Sequence, residues 1–394
     1  MCGIAGYLGP NPGHSLEEFR DRLAHRGPDS CGVWRDESAG IGLGHRRLSI
    51  LDLSSEGHQP MCNQHLHLVY NGEIYNFQSL RSDLEGLGHS FRGGSDTEVL
   101  LAAVLEWGLE KTLPRLNGMF AIALWDARER VLYLARDRYG KKPIYYGRIQ
   151  GTWYFGSELK ALPCQSLSTD RQALGTFLRY GYLPAPLSIF EGVKKLPPAH
   201  WCAIRADDFQ VVPRCFWNIP EPKVDPQLGP EQLELALMKA VQLRMVSDVP
   251  LGAFLSGGID SSLIVALMQN QSGRPVRTFC IGFEEESHDE SPFARQVAQQ
   301  LGTEHTELRV TAQQALDVVP LLPTMYDEPF GDSSQIPTSI VCAAARREVR
   351  AEGVGGRPWS HGAGLSGDRP QRPRPCHDLH RRGSPRRPPA PDRH

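Results

Sequence analysis

The hydrophobic rhythm of this chain changes twice. Over residues 1 to about 205, apolar residues come in short runs broken by Gly, Asn and Asp, the pattern of strands and tight turns. Residues 66–70, 119–125, 131–135 and 153–155 predict strands. Ile4, Ala5, Tyr7 and Leu8, with Gly3, Gly6 and Gly9 between them, predict a buried strand at the start. Two helices stand out. Leu16, Phe19 and Leu23 fall at helical spacing, and 99–107 follows Ser95-Asp96-Thr97-Glu98, a capping-box pattern. The proline-rich stretch from Ile219-Pro220-Glu221-Pro222 to Pro230 reads as a linker.

From 231 to about 350 the rhythm alternates between helix and strand. Leu233, Leu237, Val241 and Met245 mark a helix, and 250–255 a strand that runs into a glycine turn and a helix over 261–268. A strand over 277–283 follows, then a helix at Phe293, Val297 and Leu301 that stops on Gly302. Such alternation predicts a parallel sheet. Residues 353–394 hold nine arginines, eight prolines, seven glycines and no lysine, with Val354, Leu365 and Leu379 as almost the only aliphatics. Against three aspartates the net charge there is +6, and the stretch is too poor in apolar surface to fold. The expected division is therefore 1–205, 206–352 and 353–394.

Composition narrows the class. A chain of 394 residues, 40% hydrophobic and 22% charged, is long enough for two or three globular domains. A net charge of −2 points to neither nucleic acid nor an anionic membrane as a partner. No run of about 18 apolar residues and no basic-then-apolar leader occurs. The nine cysteines are scattered, odd in number and without C-x-x-C, which argues against a disulfide framework or zinc site and for a cytoplasmic location.

The start of the chain carries the first chemistry. Once Met1 is trimmed, Cys2 would hold a thiol nucleophile and an α-amine base in one residue, anchored by a strand. The unperturbed amine titrates at about 7.7–8.0, near neutral pH. Taken singly, the accompanying residues have plain explanations. Cys2 would be inert, Asp96 a first-turn carboxylate, Asn71-Gly72 a hairpin turn and Arg47 a surface charge. Taken together they are harder to explain away. Cys2-Gly3-Ile4-Ala5-Gly6, His25-Arg26-Gly27-Pro28-Asp29, His45 to Ile50, Asn71-Gly72-Glu73-Ile74-Tyr75-Asn76, Ser95 to Glu98 and Arg136 to Pro143 resemble the glutaminase domain of class II glutamine amidotransferases.

That resemblance covers residues 1–160 and implies the four-layer αββα sandwich of N-terminal nucleophile hydrolases. It implies Cys2 as nucleophile, with the Asn71 side-chain amide and Gly72 N–H as the oxyanion pair. It further implies Arg47, Leu48, Ser49, Ile50, Leu51, Asn71, Gly72, Glu73 and Asp96 around glutamine. Arg47 suits the substrate α-carboxylate by bidentate pairing, and Asp96 suits the α-ammonium by charge.

The second constellation is Leu255-Ser256-Gly257-Gly258-Ile259-Asp260-Ser261-Ser262. A strand feeding a Ser-Gly-Gly turn and a helix points backbone N–H groups at a pyrophosphate. The G-K-[ST] of a Walker A loop is absent, and the pattern is that of the PP-loop of ATP pyrophosphatases. Through about residue 350 the chain resembles the glutamine-hydrolysing asparagine synthetase family. Matching stretches include 180–186, Lys195 to Pro198, 278–283, His288-Asp289-Glu290 and Asp327-Glu328-Pro329-Phe330.

The resemblance implies an α/β parallel-sheet domain in which ATP activates an aspartate carboxylate as an acyl-adenylate, which ammonia from glutamine then captures. Ser256, Gly257, Gly258, Ser261 and Ser262 would hold pyrophosphate, Leu255 and Ile281 would lie against the nucleotide, and Asp260 would carry Mg²⁺. The implied partners are glutamine, ATP and aspartate or another carboxylate acceptor, with a homodimer admitted. Asp327 and Glu328, acidic and ahead of a proline, fit a loop or helix cap as well as chemistry and are assigned no role.

The departure comes after Val349. The family continues into a strand and S-G-x-G-x-D-E, whereas this chain gives Gly353-Val354-Gly355-Gly356-Arg357-Pro358. The Arg/Pro/Gly/His bias is what a shifted reading frame in GC-rich coding sequence produces. A native tail binding nucleic acid or a proline-recognition domain is the rival. An incomplete synthetase half is expected to be impaired, with the apolar faces of 265–267 and 297–301 left exposed. Two other functions compete: amidation of a sugar, β-lactam or peptide carboxylate, and a degraded paralogue that only binds.

Overall fold

The computed structural model describes residues 1–10, 12–222, 229–284, 289–349 and 351–352. The expected tail, His288 and half of the expected linker (223–228) lie outside the described residues.

Twelve strands build the first half: β1 Gly3–Leu8, β2 Ser30–Asp36, β3 Ile41–Arg47, β4 Met61–Asn63, β5 Leu66–Ile74, β6 Gly118–Asp126, β7 Val131–Arg136, β8 Tyr145–Ile149, β9 Thr152–Gly156, β10 Val193–Lys195, β11 His200–Ile204 and β12 Arg214–Cys215. They form two antiparallel six-stranded sheets, ordered β10-β8-β9-β1-β3-β2 and β12-β11-β7-β6-β5-β4. Strand alternation decides the layers. Ile4, Leu8, Ile41 and Leu43 of the first sheet share one core with Val69, Ala121, Ala123, Trp125, Leu132 and Leu134 of the second. The opposite faces meet helices. Ala5 and Tyr7 pack on Leu16, Phe19 and Leu23, while Leu68, Tyr70 and Leu124 pack on Leu80, Leu84, Leu100 and Val104. Helix, sheet, sheet, helix is the αββα sandwich that the motifs imply.

The second half is a parallel sheet of β13 Leu251–Phe254, β14 Arg277–Phe283, β15 Glu304–Val310 and β16 Ala351–Glu352, in the order β15-β14-β13-β16. The chain moves from β13 through β14 to β15 on one side, then places β16 on the other. The C-terminal end of β13 is therefore a topological switch point, where open α/β sheets bind ligands.

Several details differ from expectation. Asn71-Gly72 is no hairpin turn: both lie inside β5, opposite Ala121 and Phe120 of β6. The Ser95 capping box is half formed. Ser95 Oγ accepts the Glu98 N–H, but the Glu98 carboxylate turns away to the N–H groups of Arg92 and Gly93. The 265–267 face is not exposed either. Val265 and Leu267 are buried with Val241, Leu255, Cys280 and Ala294, and Val297 and Leu301 pack partly buried against them. The Pro230–Arg244 helix and β14 supply that cover.

Candidate active site

Strand β1 presents Cys2 from its N-terminal end, where two neighbours fix it. The Arg26 Nε donates to the Cys2 carbonyl at 2.9 Å. The Cys2 thiol lies against the Leu48 backbone, 3.5 Å from its nitrogen and 3.7 Å from its oxygen. Leu48 opens the segment that runs Leu48-Ser49-Ile50-Leu51 beside the thiol, and Asp29 steadies that segment by accepting the Ser49 N–H at 2.9 Å.

Strand β5 delivers the next three residues. Asn71 shares the Ala121 side of the sheet, the side that faces the inter-sheet core, and is 1% exposed. Both polar atoms of its side-chain amide are buried, with no hydrogen-bond partner among the described residues. Buried amides are nearly always satisfied, which makes this one a candidate ligand contact. Gly72 must be glycine, because a Cβ there would stand 2.1 Å from the Met119 carbonyl oxygen. The N–H groups of 70, 72 and 74 share one strand edge by the alternation of an antiparallel ladder. Gln59 Oε1 takes the first at 2.7 Å and Asp96 Oδ2 the third at 2.9 Å, which leaves Gly72 between two fixed points.

Asp96 opens the Asp96–Trp107 helix and also accepts the Tyr70 hydroxyl at 2.9 Å. Burial raises its pKa, against the Ile74 N–H and Tyr70 hydroxyl that favour the anion. Burial, with Asp96 nearby, pushes Glu73 up to about 7, while Lys142 and the chain's amino terminus pull it down. Lys142 is itself buried, its pKa lowered by burial and supported by Glu73. Its ammonium stands 2.6 Å from the Met1 sulfur. Sequence reading left Lys142 without a role: it sits in the 136–143 motif, but nothing in the motif shows that it folds back beside residue 1.

Arg47 is placed differently from its neighbours. Its guanidinium donates to the carbonyls of Ser54 (3.0 Å), Leu51 (3.3 Å) and Asp52, and so braces the 47–54 loop. Most of the donors of this arginine are thus engaged within the loop.

In the second half Leu255 ends buried beside β14, its N–H on the Phe279 carbonyl at 2.9 Å. Gly257 has φ +79, and a Cβ there would stand 2.7 Å from the Ala294 nitrogen, so the turn depends on glycine. Ser256 Oγ and Ser261 Oγ are 2.9 Å apart and pin the turn to the first helical turn. Gly258 caps the Ile259–Gln271 helix, and the Ser262 hydroxyl is buried with no partner among the described residues. Ile281 lies on β14, two residues beyond Phe279. Asp260 is exposed in the first turn. Among the described residues no group of three or more His, Cys, Asp or Glu could hold a metal. One carboxylate beside an anion cradle suits Mg²⁺ shared with phosphate oxygens, which is how that ion is commonly held.

Asp327 and Glu328, left without a role by the sequence, join the two halves. Glu328 accepts the Tyr145 hydroxyl and Ile189 N–H at 3.0 Å each and pairs with Lys195 at 2.5 Å. Asp327 accepts the Lys160 N–H at 2.8 Å. A cavity of about 240 Å³ lies at this junction, bounded by Ser157, Glu158, Lys195, Met325, Asp327 and Glu328. Elsewhere Asp248 accepts the Asp52 N–H at 2.7 Å and donates its own N–H to Ile50 O, and Arg244 stacks over Tyr75.

Comparison with known proteins finds a family match for each half. A family model described as a glutamine amidotransferase domain matches residues 1–217, and one described as asparagine synthase matches 232–354. The two matches thus place a glutamine amidotransferase domain ahead of an asparagine synthase domain. Asparagine synthetase (glutamine-hydrolyzing) 1 of Bacillus subtilis is 34% identical over 89% of this chain and 56% of its own length. Its namesake 3 from the same organism is 32% identical over 92% and 64%. Amidase chry2 of Gibberella zeae is 32% identical over 77% and 50%. The chain belongs to the glutamine-hydrolysing asparagine synthetase family, and it spans less than two thirds of the length of these relatives. No helix among the described residues is long and apolar enough to cross a membrane.

Proposed function

We propose that this chain hydrolyses glutamine at Cys2 and, in its second half, uses ATP to activate a carboxylate for amidation. The unpartnered amide of Asn71, buried beside Gly72, carries the reading. With Met1 removed, the Cys2 α-amine takes the thiol proton and the sulfur attacks the glutamine side-chain carbonyl. Asn71 Nδ2 and the Gly72 N–H stabilise the oxyanion, ammonia leaves, and water releases glutamate from the thioester. Asp96 and Glu73 supply the negative charge that suits the substrate ammonium, and the positive charge of Arg47 suits its carboxylate.

At the switch point, the 256–262 turn suits pyrophosphate, with Leu255 and Ile281 against the nucleotide. Mg²⁺ held by Asp260 and phosphate oxygens would offset the charge that builds as pyrophosphate departs. The acceptor carboxylate attacks the α-phosphorus, pyrophosphate leaves, and ammonia then displaces AMP from the acyl carbon. Aspartate is the acceptor that the family name favours. Arg357 and Pro358 stand where the family places its acidic pair, so adenylation in this chain should be weak. The similarity to an amidase of another name favours a second reading, in which a different carboxylate is amidated.

Glutamate release from glutamine tests the first half. Cys2→Ala should abolish it and Cys62→Ala should not. Asn71→Ala should lower kcat by about 10²–10³ with little change in KM, as for one lost oxyanion donor. A change in KM alone would make Asn71 a substrate contact. Intact mass of active protein should begin at Cys2. ATP–pyrophosphate exchange with aspartate and other carboxylates tests the second half and ranks the acceptors.

A further inference from the structure

Four contacts, none longer than 3.2 Å, run from the second half to the carbonyl of the nucleophile residue. Asp327 Oδ1 meets Lys160 Nζ at 3.2 Å, and the same ammonium meets Glu158 Oε2 at 3.2 Å. Glu158 Oε1 takes Arg26 Nη1 at 2.7 Å, and Arg26 Nε donates to Cys2 O at 2.9 Å. Sequence separation hides the path, because its members are residues 2, 26, 158, 160 and 327.

Two features make this more than a string of neighbours. Glu158 is 4% exposed and gathers Arg26, His25 and Lys160 on its two oxygens. Burial alone would raise its pKa, but the Arg26 and Lys160 charges and the His25 hydrogen bond hold the carboxyl well below its ordinary range. Breaking a buried ion pair by removing one partner is strongly unfavourable, so Glu158 is tied to all three. The second feature is rigidity at the far end. Lys160 is held at both of its ends, its N–H and ammonium by Asp327 and its ammonium also by the Thr324 carbonyl at 2.9 Å. The planar Arg26 fork then converts any shift of Glu158 into a shift of the Cys2 carbonyl. Among the described residues, the hydrogen-bond contacts of the thiol itself are the long ones to Leu48.

We propose that Glu158 and Lys160 are positioning residues through which the 324–328 loop sets the place of Cys2, so that glutamine hydrolysis follows the docking of the second half. This rests on Cys2 being the nucleophile of the proposed reaction. A misplacement of about 1 Å at a reacting atom costs on the order of 10²-fold in rate, so a modest shift is enough to read.

The test uses the full chain and two readouts, steady-state glutamate release and the iodoacetamide alkylation rate of Cys2 resolved by peptide mapping. Lys160→Met and Asp327→Ala should each lower kcat by about tenfold or more while KM stays within about twofold. The double variant should be no worse than Lys160→Met alone, because the two act on one path. Lys160→Arg, which can still bridge both carboxylates, should recover most of kcat. Tyr145→Phe removes a different bond across the same junction and should leave kcat unchanged. Wild-type kcat in Lys160→Met and Asp327→Ala, or an equal loss in Tyr145→Phe, would overturn the proposal while leaving the glutaminase reading intact. If the parent chain releases no glutamate, that reading fails. The alkylation rate then decides the relay alone: a changed rate in Lys160→Met and Asp327→Ala supports it, and an unchanged rate removes it.

Discussion

Glu73 is where local chemistry turns into a measurable pH dependence. Its carboxyl is surrounded by Asp96, Lys142, Tyr75 and the chain's amino terminus, and burial with the Asp96 charge pushes its pKa up to about 7. Below that pH it takes a proton and loses the charge that would hold the glutamine ammonium; above it the charge is present. KM for glutamine should therefore rise as pH falls from 8 to 6, and Glu73→Gln should flatten that rise. A parent KM constant across this window would show that Asp96 alone faces the ammonium. At this scale the sequence is a partial guide. Cys2, Asn71 and Asp96 are legible as candidates because each lies in a short motif whose residue types suit the proposed substrate. Glu158 and Lys142 are not, because their meaning depends on which distant backbone they fold against.

Among the elements, β5 does the most. One strand carries Asn71 toward the inter-sheet core, Gly72 against β6 and Glu73 back toward Lys142, so a change in its register would move all three. Gly72→Ala puts a methyl 2.1 Å from the Met119 carbonyl oxygen, and the paired backbone of β5 and β6 has little room to give. The expected result is a loss of about 2 kcal/mol or more, read as a lower urea midpoint, with glutamate release falling further than stability explains. A variant of unchanged stability would mean that β5 and β6 can part locally. Elements were legible where pattern and turn chemistry agreed, as in β1, β6 and the Asp96–Trp107 helix. Strand β15 was missed because Glu304, His305, Glu307 and Arg309 interrupt its apolar pattern, as suits the edge of a sheet. The Gln335–Glu348 helix was missed because Ala and Ser leave it without a clear apolar stripe.

Across the whole molecule, the two halves meet at separate places on the first half. Asp248 and Arg244 hold the 50–52 segment and Tyr75, while Asp327 and Glu328 hold Lys160, Ile189, Tyr145 and Lys195. None of these grips could be read from sequence, since each is one acidic or basic residue among dozens until the fold chooses its partner. The peptide joining the halves is then dispensable as a mechanical link. Its contribution is local concentration, which matters least when the parts already bind each other. A protease nick within 219–230 should leave a two-piece particle that elutes from gel filtration at the position of the uncut chain, and Asp248→Ala with Glu328→Ala should let the pieces elute apart. Fragments that separate from the unmutated nicked protein would mean that the tether, and not the grips, keeps the halves together.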